Sequence, residues 1–282
     1  MNAVLSDGYR PVKKSKLLVF LLAGRSRVLL NTPILYTMKA ILFIRVFIIA
    51  CIAGCSVVPR SQQHPALPNE DDFRSVLMLS DGRGHQASGF VLIRNGREYI
   101  VTAKHFAKYM SGRDSVEIFV EGGWVRSPTM LVGHGAGELD ISVFTFTRST
   151  ISRSFDQTPV ISSSDTMNPG SEVWSLGFPL GYLFDDPKRN YPYPLLKHGY
   201  LSAQNGDPIL YYFDGFCNPG FSGCPVFGTN TEGNLRLIGV VSSRLKETDD
   251  PNTEVNSGIF LAYSARYAEV LIDENPIGAR LP

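Results

Sequence analysis

The chain has 282 residues, enough for one large all-β domain or two small ones, and its 44% hydrophobic and 19% charged residues are those of a globular protein. The 26 glycines and 18 prolines favour many short strands joined by turns over a helical bundle. The net charge of +1 hides an asymmetry: residues 1–54 hold eight Lys or Arg and one acidic residue, leaving 19 basic and 25 acidic residues and a body near −6, a sign that argues against nucleic acid as a partner.

Residues 1–37 carry scattered basic residues and one short apolar run at Leu17–Leu22, which makes a poor signal and suggests that translation starts at Met38. From Met38 a basic start leads into an apolar stretch and then small residues, the outline of a secretory signal over 38–54. Its end, Ile52-Ala53-Gly54-Cys55, resembles the bacterial lipobox, which implies lipidation of Cys55 and an anchor in a bacterial envelope membrane, facing the periplasm or exterior. Arg45 interrupts the apolar core, and an uncleaved anchor is the alternative, although Ala40–Ala53 is shorter than the roughly 20 residues of a spanning helix. Residues 55–72, polar and proline-rich, read as a tether.

A folded domain is expected over 73–282. Phe73–Ser80 reads as the opening strand, and Ala87–Ile93 and Glu98–Thr102 flank Asn95-Gly96 as a hairpin with a primed turn. Val116–Glu121, Thr129–Gly133 and Ile141–Thr145 complete a first barrel over about 73–147, and the Ser/Thr-rich stretch Arg148–Pro169 is a connection. Glu172–Leu176, Leu195–Ser202, Pro208–Phe213, Pro225–Phe227, Leu235–Ser242 and Ile259–Tyr263 supply a second over about 170–264. Ser264 then looks like the cap of a short helix within about 265–274.

Three motifs carry the chemistry: Thr102-Ala103-Lys104-His105, Asp140-Ile141-Ser142-Val143 and Asn218-Pro219-Gly220-Phe221-Ser222-Gly223-Cys224-Pro225. A serine hydroxyl becomes a nucleophile when a histidine takes its proton and a carboxylate orients that histidine. His85, His134 and His198 compete with His105 as the base, and Glu138 with Asp140 as the carboxylate. In these motifs, and in Val173–Gly181 and Gly199–Ala203, the chain resembles a trypsin-like (chymotrypsin-fold) serine protease, in particular the protease domain of bacterial HtrA/Deg enzymes, over roughly 74–275.

The resemblance implies an all-β fold of two six-stranded barrels with a short C-terminal helix. It also implies a serine endopeptidase with His105, Asp140 and Ser222 as triad, Gly220 and Ser222 as oxyanion hole, and no cofactor or metal. Polypeptides would be the substrates, met by Phe216, Ser242 and Ser243 at a primary pocket that suits small or apolar side chains, in envelope protein processing or quality control. HtrA/Deg proteins usually continue into a PDZ domain, and none is expected here. Two departures stand at the turn: Phe221 replaces a small polar residue, and Cys224 replaces a glycine. They leave open a catalytically inactive binding or scaffold lipoprotein on the same fold, and an esterase would use the same triad. Cys217 and Cys224 could pair as a disulfide or stay separate thiols.

Overall fold

A computed structural model of the chain describes residues 66–108, 113–120, 122–147, 159–162, 167–184, 189, 191–206, 209–246 and 256–280. The signal at 38–54, Cys55 and most of the tether and of the inter-barrel connection lie outside these residues.

The domain opens on a helix, α1 (Glu70–Ser75), where a strand was expected from Phe73. Asn69 accounts for the difference. Its side chain accepts from the backbone N–H groups of Asp71 and Asp72, while the Asp72 carboxylate accepts from the Asn69 N–H, a reciprocal cap that satisfies donors a helix start leaves open. Only from Val76 does the chain extend.

The first barrel runs β1 (Val76–Ser80), β2 (Gln86–Arg94), β3 (Arg97–Thr102), a one-turn helix α2 (Lys104–Ala107), β4 (Arg113–Val120), β5 (Gly123–His134) and β6 (Ser142–Phe146). Its antiparallel order is β3-β2-β1-β4-β5-β6, and pairing of β3 with β6, Val101 opposite Val143, closes it. The β2–β3 turn has Asn95 and Gly96 at φ of 54° and 68°, the two positive angles a primed hairpin needs. The second barrel consists of β7 (Glu172–Gly177), β8 (Leu195–Asn205), β9 (Leu210–Asp214), β10 (Pro225–Thr229), β11 (Leu235–Lys246) and β12 (Asn256–Ser264), closed in the order β10-β11-β12-β9-β8-β7. A 3₁₀ turn at Pro179–Gly181 follows β7.

Three apolar clusters hold this arrangement. One fills the first barrel around Leu77, Leu79, Ile100 and Phe144, another fills the second around Tyr211, Phe213, Val226 and Val241, and the largest joins residues of both, from Phe90 and Val101 to Trp174, Phe178 and Tyr263. Helix α3 (Arg266–Glu274) buries Ala268 and Ile272 in that shared cluster. Its N-cap is Ala265 and not Ser264, although the Ser264 hydroxyl accepts from Arg266 N–H at 3.4 Å. Arg94 of β2 reaches α3 with hydrogen bonds to Glu269 at 2.6 Å and to both oxygens of Asp273 at 2.7 Å. The chain then returns as β13 (Ala279–Arg280) on β3.

Candidate active site

His105 sits in the one-turn helix after β3, and Asp140 sits just before β6, the strand that closes the barrel against β3. Barrel closure therefore brings two residues 35 apart in sequence into contact. The Asp140 Oδ1 accepts from the His105 backbone N–H at 2.7 Å, and Oδ2 from the ring Nδ1 at 2.8 Å. The loop before Asp140 is held by Lys104, whose ammonium donates to the carbonyls of Gly135 and Gly137 at 2.9 and 2.7 Å. The Asp140 side chain is 14% exposed and that of His105 49%, so the carboxylate is largely enclosed while the imidazole is accessible.

From β11 the hydroxyl of Ser242 donates to Asp140 Oδ2 at 2.5 Å. Burial pushes the Asp140 carboxyl pKa up. Hydrogen bonds from the His105 ring, from Ser242 and from the His105 backbone, with the attraction of His105, outweigh burial and leave it below the usual aspartate value. The Ser222 hydroxyl donates to the Ser242 carbonyl at 3.2 Å. Ser222, Ser242, Asp140 and His105 thus form one hydrogen-bonded chain. Among the described residues the other histidines are engaged elsewhere: His85 with Asp81, His134 with Ser142, and His198 against Trp174. Glu138 is exposed.

Two consecutive turns present Ser222. Asn218–Phe221 closes through Phe221 N–H to the Asn218 carbonyl at 3.1 Å with Gly220 at φ 88°, and Phe221–Cys224 closes through Cys224 N–H to the Phe221 carbonyl at 3.1 Å with Gly223 at φ 84°. Both angles are ones that glycine adopts without strain. Every carbonyl from Phe216 to Ser222 is bonded. Phe216 accepts from Lys197 at 2.5 Å, Cys217 from Asn256 at 2.7 Å, Pro219 from Leu180 N–H at 2.6 Å and Gly220 from the Ser88 hydroxyl at 2.8 Å. Ser222 accepts from Ser88 N–H at 2.9 Å. In a planar trans peptide the N–H points opposite to the C=O. Fixing the Pro219 and Phe221 carbonyls therefore aims the N–H groups of Gly220 and Ser222 the other way, and neither has a partner among the described residues. Two unsatisfied backbone donors flanking the serine turn are suited to hold a developing oxyanion.

Of the residues assigned to the primary pocket, Phe216 is 64% exposed and Ser243 is exposed, whereas Ser242 is buried with its hydroxyl on Asp140. Ser88 and Lys197 were not foreseen, because their contacts to the turn span 132 and at most 21 residues of sequence and leave no local pattern.

Cys217 and Cys224 are separate buried thiols. Burial pushes the Cys217 pKa up to about 11 and that of Cys224 well above the ordinary value, so neither is a thiolate that could rival Ser222. Cys224 occupies space freed elsewhere, since a Cβ at Gly177 would overlap its Sγ. Gly177→Ala is expected to destabilise the domain by about 1–3 kcal/mol, and Cys224→Ala added to it should recover part of the loss in a denaturant titration, since the Ser88 Oγ still lies 2.9 Å from the new Cβ; no recovery would contradict this pairing.

Residues 87–240 match the family of trypsin-like peptidase domains. The chain belongs to that family. Among solved structures, the HtrA-type protease AlgW with tripeptide is 19% identical with a TM-score of 0.51, and the match covers 72% of this chain and 60% of that one. A variant of that protease with tripeptide gives 18%, the same TM-score and the same coverage. These likenesses establish the two-barrel fold, and the chain spans about 60% of the length of those relatives. No curated protein sequence matches it. Among trypsin-like peptidase domains this one carries Phe221 and Cys224 at its serine turn, and both side chains are fully buried beneath it.

Proposed function

We propose that the protein is a serine endopeptidase, with Ser222 as nucleophile, His105 as general base and then acid, and Asp140 as the group that orients the imidazole. The supporting observation is the geometry of Asp140, which grips both the ring and the backbone of His105 and leaves Nε2 as the free ring nitrogen.

In the reacting geometry the Ser222 hydroxyl turns from the Ser242 carbonyl towards His105 Nε2. The oxygen attacks the substrate carbonyl while Nε2 takes its proton, and the oxyanion is received by Gly220 and Ser222 N–H. His105 then returns the proton to the departing amine, leaving an acyl-Ser222 that water hydrolyses by the same steps in reverse. Incubation with an unstructured protein such as casein, with new termini identified by mass spectrometry, tests the reading. Internal cleavage at defined sites is expected; a folded protein that turns over esters but no peptides points to an acyl hydrolase, and one that turns over neither to a binding protein.

Ser242 acts through Asp140. Ser242→Ala removes one donor to a largely enclosed carboxylate and should lower kcat by roughly 10- to 100-fold with little change in KM, since hydrogen bonds to charged groups are worth about 1.5–3 kcal/mol. A kcat equal to wild type would remove this role.

We further propose that the enzyme works in the bacterial cell envelope, facing the periplasm or exterior, as a lipoprotein anchored through Cys55, on the lipobox-like Ile52-Ala53-Gly54-Cys55. More than one acyl chain would be needed for a stable hold.

A further inference from the structure

The turn that carries Ser222 is held mainly by neutral groups: Asn256, Leu180 N–H and the hydroxyl and N–H of Ser88. Lys197 of β8 is the exception. Its ammonium donates to the Phe216 carbonyl at 2.5 Å and to Asn218 Oδ1 at 3.1 Å, and it lies 4.7 Å from the centre of the Phe221 ring. A lysine ammonium has three N–H donors, and these three partners account for them, two carbonyl oxygens and one aromatic face. All three partners belong to the segment between Phe216 and Ser222. Phe221 lies in sequence between the two residues whose N–H groups stand open, and its side chain is 1% exposed.

The site is built at a cost. Burial pulls the Lys197 pKa below the ordinary lysine value. A half-buried cation is disfavoured unless partners compensate for the lost water. The phenyl ring of Phe221 supplies one of them. A small polar side chain there would offer no π face.

We propose that Lys197 is a positioning residue for the reaction, a cationic clamp that sets the Phe221 backbone and thereby the aim of the Gly220 and Ser222 N–H groups. This rests on the reading of Ser222 as the nucleophile. The clamp works on the step in which charge develops on the substrate oxygen, so its loss should slow acylation and leave ground-state binding nearly unchanged.

The test measures the second-order rate constant for fluorophosphonate labelling of Ser222, with kcat and KM for a peptide substrate, on the full chain. Lys197→Met keeps the length and removes the charge. It should reduce labelling and kcat by about 10- to 100-fold at nearly constant KM, less than the roughly 100- to 1,000-fold cost of losing an oxyanion donor outright. Lys197→Arg, which keeps a cation over the ring, should recover a measurable part. Phe221→Leu keeps the apolar filling, loses the π face and should lower labelling in the same direction, and it serves alone if Lys197→Met does not fold. In the double variant the two losses should be less than multiplicative. A purely structural lysine would lower the melting temperature but leave the labelling rate of folded protein within twofold of wild type, and that result overturns the clamp. Wild type that is folded yet unlabelled overturns the protease reading and the clamp together.

Discussion

Ser222→Ala is expected to lower kcat for peptide hydrolysis by about 10⁶-fold, the scale on which losing a triad's nucleophile costs the whole unit and leaves only binding and the oxyanion donors. The fold should survive the change. The hydroxyl makes one 3.2 Å hydrogen bond to the Ser242 carbonyl, a contact worth about 1 kcal/mol or less, and the turn around it is held by backbone groups that alanine retains. The melting temperature is expected to move by no more than about 4 °C. Comparing purified wild type and variant for turnover and thermal unfolding checks both halves. Undiminished cleavage by Ser222→Ala would show that another residue does the chemistry, and collapse of the fold would show that the hydroxyl bears structure.

Asp140→Asn is expected to reduce kcat by about 10⁴-fold while the barrel stays intact. The reason lies in the two bonds to His105. A carboxylate accepts both the Nδ1–H and the backbone N–H, which commits the ring to the tautomer with a bare Nε2, whereas an amide that presents NH₂ to Nδ1 selects the opposite tautomer. Stability against acid gives a second readout with a definite sign. The Asp140 carboxyl titrates below the usual aspartate value in the folded protein, so the stability its network contributes is present above that usual value and is lost as pH falls through the lowered one. Between about pH 5 and pH 2 wild type should therefore lose stability more steeply than Asp140→Asn, in urea titrations at fixed pH. Equal slopes would mean that Asp140 gains nothing from its partners on folding.

Much of this site was legible in the chain because its pieces are local. Gly220 and Gly223 stand where two successive turns need positive φ, Asn95-Gly96 stands at a primed hairpin, and the apolar run after Asp140 became the fully buried β6. Other features needed the fold. The role of Ser242 depends on a contact across 102 residues, and that of Ser88 on one across 132, for which no spacing rule exists. Helix α1 is a different case, since the capping signal, Asn69 with Asp72 three residues later, was present in the sequence and the apolar residues after it were given to a strand instead. Strand β5 proved longer than Thr129–Gly133 because its exposed half, including Trp124, Val125 and Arg126, pairs with β4 through the backbone while showing no apolar alternation. In the sequence Lys197 is one lysine within an expected strand, and only the folded turn shows three partners converging on its ammonium.

The most direct measurement is fluorophosphonate labelling of the purified protein, with peptide mapping of the adduct and Ser222→Ala as control. The account predicts a single adduct on Ser222, formed in wild type and absent from the variant. A folded wild type that takes no label, or takes it at another serine, would contradict it.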